Sequence, residues 1–373
     1  MKVLIAMDSY KGCLSADDAG QAVGRGFADA GHETIIIPMA DGGEGTVSAL
    51  VSATCGRMME SEVLDPLERH INAQWGISGD ERTAFIEMSA ASGLPLVGEQ
   101  KSPLTTTTYG TGQLIMQALD CGVRKIILGI GGSATVDGGQ GMLEALGVRF
   151  LDSDGIDLKR GGGFLGDLVT IDTSYLDERI PNTEFLIACD VDSPLCGSTG
   201  AAHLFAPQKG ADKTMVELLE RNLRHFAAVI KNQHGKDILS LPGAGAGGGI
   251  AAGAIAFLHA ALKPGVEIVS SAVGLKDHIK NADLVITGEG NTDEQTIHGK
   301  VVAGVASLAR PFNLPVICIS GGLGEGYNTL YDYGITACIS ICDKPMMLKD
   351  AISNASELLY NTGYMLGRIY KAL

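Results

Sequence analysis

The stretch KVLIAMDSYKGCLSADDAGQAVGRGFADAGHETIII, residues 2–37, decides the fold. It begins with an apolar run that predicts a buried strand, and the segment from Ser15 has the polar start and apolar spacing of a helix. A second apolar run, HETIIIPMA, predicts another strand. A strand, a helix and a strand in this order are typical of a parallel α/β sheet, in which ligands bind beyond the carboxyl ends of the strands.

The same rhythm returns from Asp283, where DLVITGEG, LPVICISGG and ACISICD predict strands separated by helices. Between Arg57 and Leu96 the pattern alternates as in a hairpin, with GDE as the turn. We therefore predict a discontinuous parallel α/β domain, residues 1–60 and 270–373, with a mixed α/β domain, residues 61–269, inserted into it. The segment 105–147 fits either domain.

Composition excludes several classes of protein. The chain has 373 residues and a net charge of −15, which argues against a nucleic-acid partner. The uncharged stretch 243–262 is rich in glycine and predicts a loop and a buried helix rather than a membrane span. Its 8 cysteines form no CxxC pair and favour buried thiols in a reducing cytoplasm, and the chain opens directly on a strand.

The ends of the first two predicted strands carry charged side chains. MDSYKG places Asp8 and Lys11 after the first strand, where a carboxylate and an ammonium suit a substrate hydroxyl and a phosphate. A solvated turn is an equal alternative. ADGGEGT places Asp41 and Glu44 among glycines, and carboxylates on such a loop suit Mg²⁺. Capping of the next helix is the alternative for these acids.

The stretch IILGIGGSATVDGGQGM, residues 126–142, is a strand followed by a glycine-rich turn with a lone carboxylate. The dinucleotide fingerprint G-x-G-x-x-G fails because Ala134 stands at its last position, and the chain has no GxxxxGK[ST] motif. The turn can form a backbone nest for an anion or a purely structural corner. TTTTYGTG, residues 105–112, is better explained as an extended segment and a helix cap.

Further polar stretches occupy strand ends and loops. ACDVDSPLCG offers Asp190 as a base or metal ligand, and FAPQKGA offers Lys209 to a phosphoryl oxygen. PGAGAGGG, residues 242–249, can wrap a ligand or allow close helix packing, and the second use is commoner. The densest polar stretch, TGEGNTDEQTIHGK, residues 287–300, favours a functional site. Its His298 is a candidate acid–base group, although a lone loop histidine is more often a bystander.

Taken together, the motifs resemble the glycerate kinase family from the first residue to the last. The matching motifs, in order, are DSYKGCLSA, ADGGEGT, TTTYGTG, GIGGSATVDGGQGM, ACDVDSPL, PQKGA, PGAGAGGG and TGEGNTDEQTIHGK. The resemblance implies phosphorylation of D-glycerate at its 2-hydroxyl with ATP and Mg²⁺, in bacterial sugar-acid catabolism. It also implies a flavodoxin-like, three-layer domain with an inserted second domain, and it leaves open whether the chain is a monomer or a homodimer.

Within that resemblance we expect in-line phosphoryl transfer in the cleft between the domains. The candidate catalytic residues are Asp190 as the base, Lys11 and Lys209 as partners of the phosphate or substrate carboxylate, and Asp8. The candidate Mg²⁺ ligands are Asp41, Glu289 and Asp293. The candidate nucleotide or substrate contacts are Gly131, Gly132, Ser133, Gly245, Gly247, Gly248 and Lys300.

The chain departs from the family pattern at a few positions. Val136 stands where the family usually has Asn, Asn291 replaces a common basic residue, and Met7 replaces a proline. None of them alters a candidate catalytic carboxylate or lysine, so we expect activity and leave substrate preference open. A nicotinamide dehydrogenase is the first alternative, and the failed fingerprint counts against it. A non-catalytic sugar-acid sensor is the second, and the polar strand ends count against it.

Overall fold

The structure is a computed structural model and describes residues 1–43, 45–297 and 300–372. The strands are β1 (Lys2–Met7), β2 (Glu33–Ile36), β3 (Arg57–Leu64), β4 (His70–Ile77), β5 (Thr83–Glu87), β6 (Lys125–Gly129), β7 (Arg149–Leu151), β8 (Thr170–Asp172), β9 (Glu184–Ala188), β10 (Ala261–Lys263), β11 (Leu284–Thr292), β12 (Val316–Leu323) and β13 (Ala337–Ser340).

The α-helices are α1 (Ala16–Asp29), α2 (Thr46–Ala53), α3 (Ser89–Ser92), α4 (Leu94–Val97), α5 (Tyr109–Asp120), α6 (Gln140–Ala145), α7 (Ala201–Phe205), α8 (Lys213–His234), α9 (Ile250–Phe257), α10 (Gly265–Ala272), α11 (Leu275–Lys280), α12 (Val301–Ala309), α13 (Leu348–Ser353) and α14 (Ala355–Ala372). Short 3₁₀ helices lie at Gly162–Asp167, Ile180–Asn182, Pro207–Lys209, Ala246–Gly248, Glu294–Ile297, Arg310–Phe312 and Tyr327–Tyr333.

The chain divides into two compact units. The first unit comprises Met1–Asp41, Ser48–Thr54 and Pro264–Leu373, and the second comprises Gly42–Val47 and Cys55–Lys263. Segment 105–147 therefore lies in the second unit. The chain enters the second unit and returns to the first, so the first unit is discontinuous in sequence.

The first unit is built on a 5-stranded sheet in the order β13-β12-β11-β1-β2, and all its neighbouring strands are parallel. Numbered along the unit, this order is 2-1-3-4-5, the flavodoxin-like arrangement. Val3, Ile5 and Met7 pack into one apolar cluster with α1 and α14. Leu4 and Ala6 are equally buried and alternate with them, and α12 packs against β1, β11 and β12.

Close packing of α1 on α14 depends on glycine. A Cβ atom on Gly26 would lie 2.3 Å from the carbonyl oxygen of Tyr360, and one on Gly363 would lie 2.5 Å from that of Val23. Neither backbone oxygen can move without disturbing its helix. Gly26 and Gly363 therefore allow the two helices to pack closely.

The second unit contains a 6-stranded sheet in the order β10-β9-β6-β5-β4-β3. Strands β10, β9, β6 and β5 run parallel, whereas β4 pairs antiparallel with β5 and β3, which makes this sheet mixed. The predicted hairpin is confirmed as β4 and β5. The helix α8 begins at a polar cap, because the Asp212 side chain accepts a bond from the Met215 amide at 2.8 Å.

The stretch 243–262 contains the 3₁₀ turn Ala246–Gly248 and the buried helix α9, as its composition predicts. Within the described residues, no helix combines the length and the apolar character that a membrane crossing requires. All eight cysteines are free thiols. Burial holds for Cys196 and Cys318, but Cys55, Cys121 and Cys342 are exposed, so the prediction of buried thiols is wrong for those three. They lie outside strands, where the sheet does not cover them.

Candidate active site

A pocket of about 750 Å³ lies in the first unit at the carboxyl ends of β1 and β11. We call it the strand-end pocket. Parallel strands bring their carboxyl ends to one edge, so residues that are far apart in sequence meet there. Its lining includes the predicted residues Asp8, Lys11, Asp41, Glu289, Asp293 and Lys300. The structure thus brings together the candidate site residues of the first unit that lie among the described residues.

Asp8 is the most strongly perturbed carboxyl group in this pocket. It follows β1 directly, is only 6% exposed, and its Oδ1 accepts a bond from the Ser9 amide at 2.7 Å. Burial raises the pKa of Asp8 to about 7, and the neighbouring carboxylate of Asp41 adds to the rise. Lys11 opposes the shift. Asp8 therefore changes its protonation state near neutral pH, as a general base requires.

Glu289 lies within β11 and is held by hydroxyl groups. Its Oε1 accepts bonds from Thr296 Oγ1 at 2.6 Å and Thr292 Oγ1 at 3.2 Å, and its Oε2 lies 3.7 Å from Lys300 Nζ. Burial raises the pKa of Glu289, while Thr296 and Lys300 act against the rise. These contacts orient one oxygen for the protein and leave the other beside the lysine and the pocket.

A second layer of hydroxyls supports Glu289, and the sequence reading missed it. Thr292 Oγ1 and Ser320 Oγ are 2.6 Å apart, and both residues are fully buried. The sequence feature that could have indicated these hydroxyls is the polar residue Ser320 at the end of the apolar run VICIS. This run belongs to β12, which pairs with β11, the strand that carries Glu289.

Asp293 is oriented by the residue at which the chain departs from the family pattern. Asn291 Nδ2 donates to Asp293 Oδ2 at 2.9 Å, and the Gln295 amide donates to Oδ1 at 2.9 Å. Asn291 itself lines the strand-end pocket. Where the resemblance implies a basic residue, this chain thus has an amide that positions a carboxylate.

Among the described residues, the carboxylates of the pocket do not by themselves form a complete metal-binding site. Within the described ranges 1–43, 45–297 and 300–372, no group of three or more His, Cys, Asp or Glu residues is placed to hold a metal ion. Asp41 and Glu289 both raise the pKa of Asp8, which shows that negative charge is concentrated there. This donor set fits Mg²⁺ that arrives with phosphate oxygens and keeps part of its water, because such ions need only one or two protein carboxylates.

The remaining predicted residues belong to the second unit. At the carboxyl ends of β6 and β9 lie the glycine-rich loop 131–139 and the loop that carries Asp190. Gly131 and Gly132 are exposed, and Gly132 has a φ of +69°, which favours glycine. Asp190 is exposed at the end of β9. These positions are accessible to ligands from solution.

Lys209 supports this loop from beneath. It is 2% exposed, and its Nζ donates to Ser133 Oγ and to the Thr135 carbonyl oxygen at 2.7 Å. Burial lowers the pKa of Lys209 to about 7, against the attraction of Asp137. Contact between Lys209 and a phosphate stays a prediction, because here the ammonium group is bonded to the protein.

Asp137, the lone carboxylate of the same loop, is also buried. Its Oδ2 accepts bonds from the amide and the hydroxyl of Thr108, both at 2.8 Å, and its Oδ1 accepts one from the Gly139 amide at 3.1 Å. The explanation of the threonine-rich segment as a helix cap holds, because Thr108 is the N-cap residue of α5 and Thr107 Oγ1 accepts a bond from the Tyr109 amide at 3.2 Å, but the Thr108 side chain has another partner. That side chain makes no capping bond to α5, because its hydroxyl bonds Asp137 and accepts from the Met142 amide.

The glycines of 245–248 pack against neighbouring backbone. A Cβ atom on Gly248 would lie 1.9 Å from the Thr135 carbonyl oxygen, and one on Gly245 would lie 2.2 Å from that of Pro194. Gly247 is half-buried. Close packing, the commoner use of such a run, accounts for Gly245 and Gly248, and a ligand contact by these glycines stays a prediction.

Glu44 and His298, which the sequence offers as a metal ligand and an acid–base group, lie outside the described residues.

Known proteins resemble this chain over nearly its whole length. The family model described as "Glycerate kinase family" matches residues 3–371. The glycerate 2-kinase of Escherichia coli (strain K12) is 49% identical over 96% of this chain and 94% of its own length. The glycerate kinase of Bacillus subtilis (strain 168) is 47% identical over 97% and 96%, respectively.

A solved structure extends the likeness to the whole fold. The crystal structure of a protein from Salmonella typhimurium LT2, provisionally assigned as glycerate kinase 2, matches 100% of this chain and 98% of its own with a TM-score of 0.92 and 47% identity. A match of this extent covers the strand-end pocket together with the loops of the second unit. The chain therefore belongs to the glycerate kinase family.

Proposed function

We propose that this protein transfers the γ-phosphoryl group of ATP to the 2-hydroxyl of D-glycerate, giving 2-phosphoglycerate. Family membership supports a glycerate kinase, and the strand-end pocket supplies the chemistry. The observation that carries the proposal is that one pocket places Asp8, whose pKa is about 7, beside Lys11, Glu289 of β11 and Asp293.

The proposed base is Asp8. A phosphoryl transfer to an alcohol needs a carboxylate that accepts the hydroxyl proton, and a pKa near the working pH suits that task. With its pKa at about 7, Asp8 is largely ionised just above neutrality. Asp190, the base favoured by the sequence, is an exposed carboxylate of the second unit, and the two assignments are separated experimentally below.

Charge neutralisation is assigned to Lys11 and Lys300. Both line the strand-end pocket, and Lys300 Nζ is 3.7 Å from Glu289. An ammonium group beside the transferring phosphoryl group spreads its negative charge, which is the main task of protein side chains in this reaction. One or two of the carboxylates Asp41, Glu289 and Asp293 would hold Mg²⁺, which, when bound, neutralises phosphate oxygens.

The exposed amides of Gly131 and Gly132, with Ser133, are proposed to hold a carboxylate or phosphate oxygen. Glycine turns with consecutive free N–H directions form anion-binding nests. Lys209 and Asp137 fix the shape of this turn from its buried side. In this proposal they position the nest, and they do not touch the substrate.

The test is an ADP-release assay with D-glycerate, L-glycerate, tartronate and no acceptor, followed by identification of the product. We expect ADP release to depend on D-glycerate. Coupling to enolase alone distinguishes the products, because enolase dehydrates 2-phosphoglycerate directly and needs a mutase to use 3-phosphoglycerate. Absence of acceptor-dependent ADP with all three acids would overturn the kinase proposal, and a signal only with added mutase would overturn the 2-hydroxyl assignment.

A further inference from the structure

The strand-end pocket has two chemically different parts. One part is the charged edge that carries Asp8, Lys11 and Glu289. The other is a wall of hydrocarbon side chains from Ile341 and from Leu348 and Ile352 of α13. We call this second part the α13 wall. The proposed reaction assigns roles to residues of the charged edge and none to the α13 wall.

Two of the three side chains of the α13 wall are more exposed than apolar side chains of a structural core. Leu348 is 75% exposed and Ile352 is 44% exposed, although both face a pocket large enough to enclose a ligand, whereas Ile341 is only 3% exposed. Exposed apolar surface is unfavourable in water, so an exposed apolar patch beside a charged site marks a binding surface. The wall is anchored to the charged edge, since Cys13 Sγ donates to the Ile352 carbonyl oxygen at 3.3 Å.

The pocket is larger than a small acid alone would need. A volume of about 750 Å³ falls within the range of about 300–1,000 Å³ that is usual for sites of cofactor-sized ligands. A three-carbon acid fills a small part of it and has no apolar face for the α13 wall. A nucleoside triphosphate has both a flat apolar base and an anionic chain.

We propose that the α13 wall binds the purine ring of the nucleotide, with the phosphates directed to the lysines at the charged edge. This inference rests on the proposed function for the identity of the nucleotide, and it assigns the base to the first unit. Ile341, Leu348 and Ile352 contribute only hydrocarbon to the ring, so recognition there is by stacking and dispersion. We therefore expect ATP and GTP to have KM values within about tenfold of each other, because purine pockets without polar side-chain contacts discriminate weakly.

The test uses two isoleucines of similar exposure in the same unit. Ile352→Ala shortens the α13 wall, and Ile369→Ala changes a side chain of α14 that is 49% exposed and does not line the pocket. We expect Ile352→Ala to raise KM for ATP and Kd for ADP by about five- to tenfold, with kcat and KM for D-glycerate within about twofold. Ile369→Ala is expected to match the wild type.

Calorimetric titration with inorganic pyrophosphate separates the base from the phosphates. Ile352→Ala should leave the Kd for pyrophosphate unchanged. Leu348→Ala should likewise weaken the binding of ADP and leave the Kd for pyrophosphate unchanged. The inference would be overturned if Ile352→Ala weakened the binding of ADP and of pyrophosphate equally, or if Ile352→Ala bound ADP as tightly as Ile369→Ala does. Failure of the wild type to bind ADP would also overturn it. A wild type that binds ADP but phosphorylates no acid would overturn the proposed function alone, because the ADP titrations would still decide the role of the wall.

Discussion

The two units place similar residues at their strand ends and use them differently. In the first unit, the carboxylate of Asp8 and the ammonium of Lys11 both line a pocket. In the second unit, the carboxylate of Asp137 and the ammonium of Lys209 are buried and bonded to the loop that contains the glycines. A carboxylate, a lysine and several glycines near a strand end therefore indicate a functional region without showing which side chains meet the ligand.

The difference lies in where the charges find partners. Asp8 loses water and gains the repulsion of Asp41 and Glu289, and its pKa rises to about 7. Burial also raises the pKa of Asp137, but hydrogen bonds from Thr108 and from two glycine amides act against that rise. A carboxylate with many protein donors is stabilised in place, whereas one among other carboxylates is ready for a proton or a cation.

The largest effect is expected from Asp8→Asn. The amide keeps the size of the side chain but cannot accept a proton, so kcat should fall by about 10²- to 10⁴-fold. In the wild type, kcat/KM should rise with pH and level off above about 7, because this ratio reports the free enzyme and only the ionised Asp8 accepts a proton. A pH profile of kcat/KM for the wild type and a rate measurement for the variant check both statements.

The same variant is expected to be more stable at high pH. Folding raises the pKa of Asp8 from its ordinary value of 3.8 to about 7, so the stability contributed by this carboxyl group is fully present below pH 3.8 and is lost as the pH rises through 7. Asp8→Asn avoids that loss, and its Tm should exceed that of the wild type at pH 8 but not at pH 4.

Asp190→Asn is the matched variant for the base assignment. Near wild-type turnover would leave Asp8 as the base. A loss of the size expected for Asp8→Asn, together with a wild-type rate for Asp8→Asn, would transfer the role to Asp190, as the sequence suggested.

The next prediction contrasts Lys209 with Lys11. Lys209→Met removes the donor to Ser133 Oγ and the Thr135 carbonyl, and leaving buried acceptors unpaired costs about 1–3 kcal/mol each. Lys11 is exposed, so Lys11→Met should leave the Tm within about 1 °C and raise KM for ATP instead. Thermal unfolding and steady-state kinetics of the two variants test the contrast. Unchanged stability of Lys209→Met would show that the loop does not depend on this ammonium group.

The pH dependence of stability gives Lys209 a distinct signature. Burial lowers its pKa from 10.5 to about 7, so between these values the unfolded chain binds a proton that the folded chain does not. Stability therefore rises with pH across this window, and Lys209→Met should remove that rise. Urea unfolding at pH 7 and pH 9 measures the change in the free energy of unfolding between these pH values. The same change in the wild type and in Lys209→Met would contradict the assignment.

Much of the fold could be predicted because its signals are local. Apolar runs predicted the strands β1, β11, β12 and β13. The glycine-rich corners between strands and helices indicated that these strands run parallel. Burial of the cysteines was predicted less well, because a thiol in a loop, such as Cys55, follows the course of the loop rather than the hydrophobicity of its neighbours.

The site could be predicted in part, for a physical reason. The residues of the strand-end pocket follow strands of one parallel sheet, so their meeting is a consequence of topology. The direction of each side chain depends on contacts between distant segments, as when Thr108 bonds Asp137 across 29 positions. The α13 wall left no sequence signal, because Leu348 and Ile352 have the spacing of any amphipathic helix.

The smallest effect is expected at Val136, where the family usually has Asn. The side chain is fully buried in the apolar cluster of the second unit, so it does not face the exposed turn at Gly131. Val136→Asn would bury an amide among apolar side chains, and we expect it to lower the free energy of unfolding by about 1–3 kcal/mol. The order of KM values for D-glycerate, L-glycerate and tartronate should not change. Val136→Ala, which creates a cavity without adding a polar group, is the control for packing. If the asparagine variant unfolds at the wild-type urea concentration and changes the acceptor order, the side chain at 136 reaches the substrate, and the buried half of this loop is as functional as its exposed half.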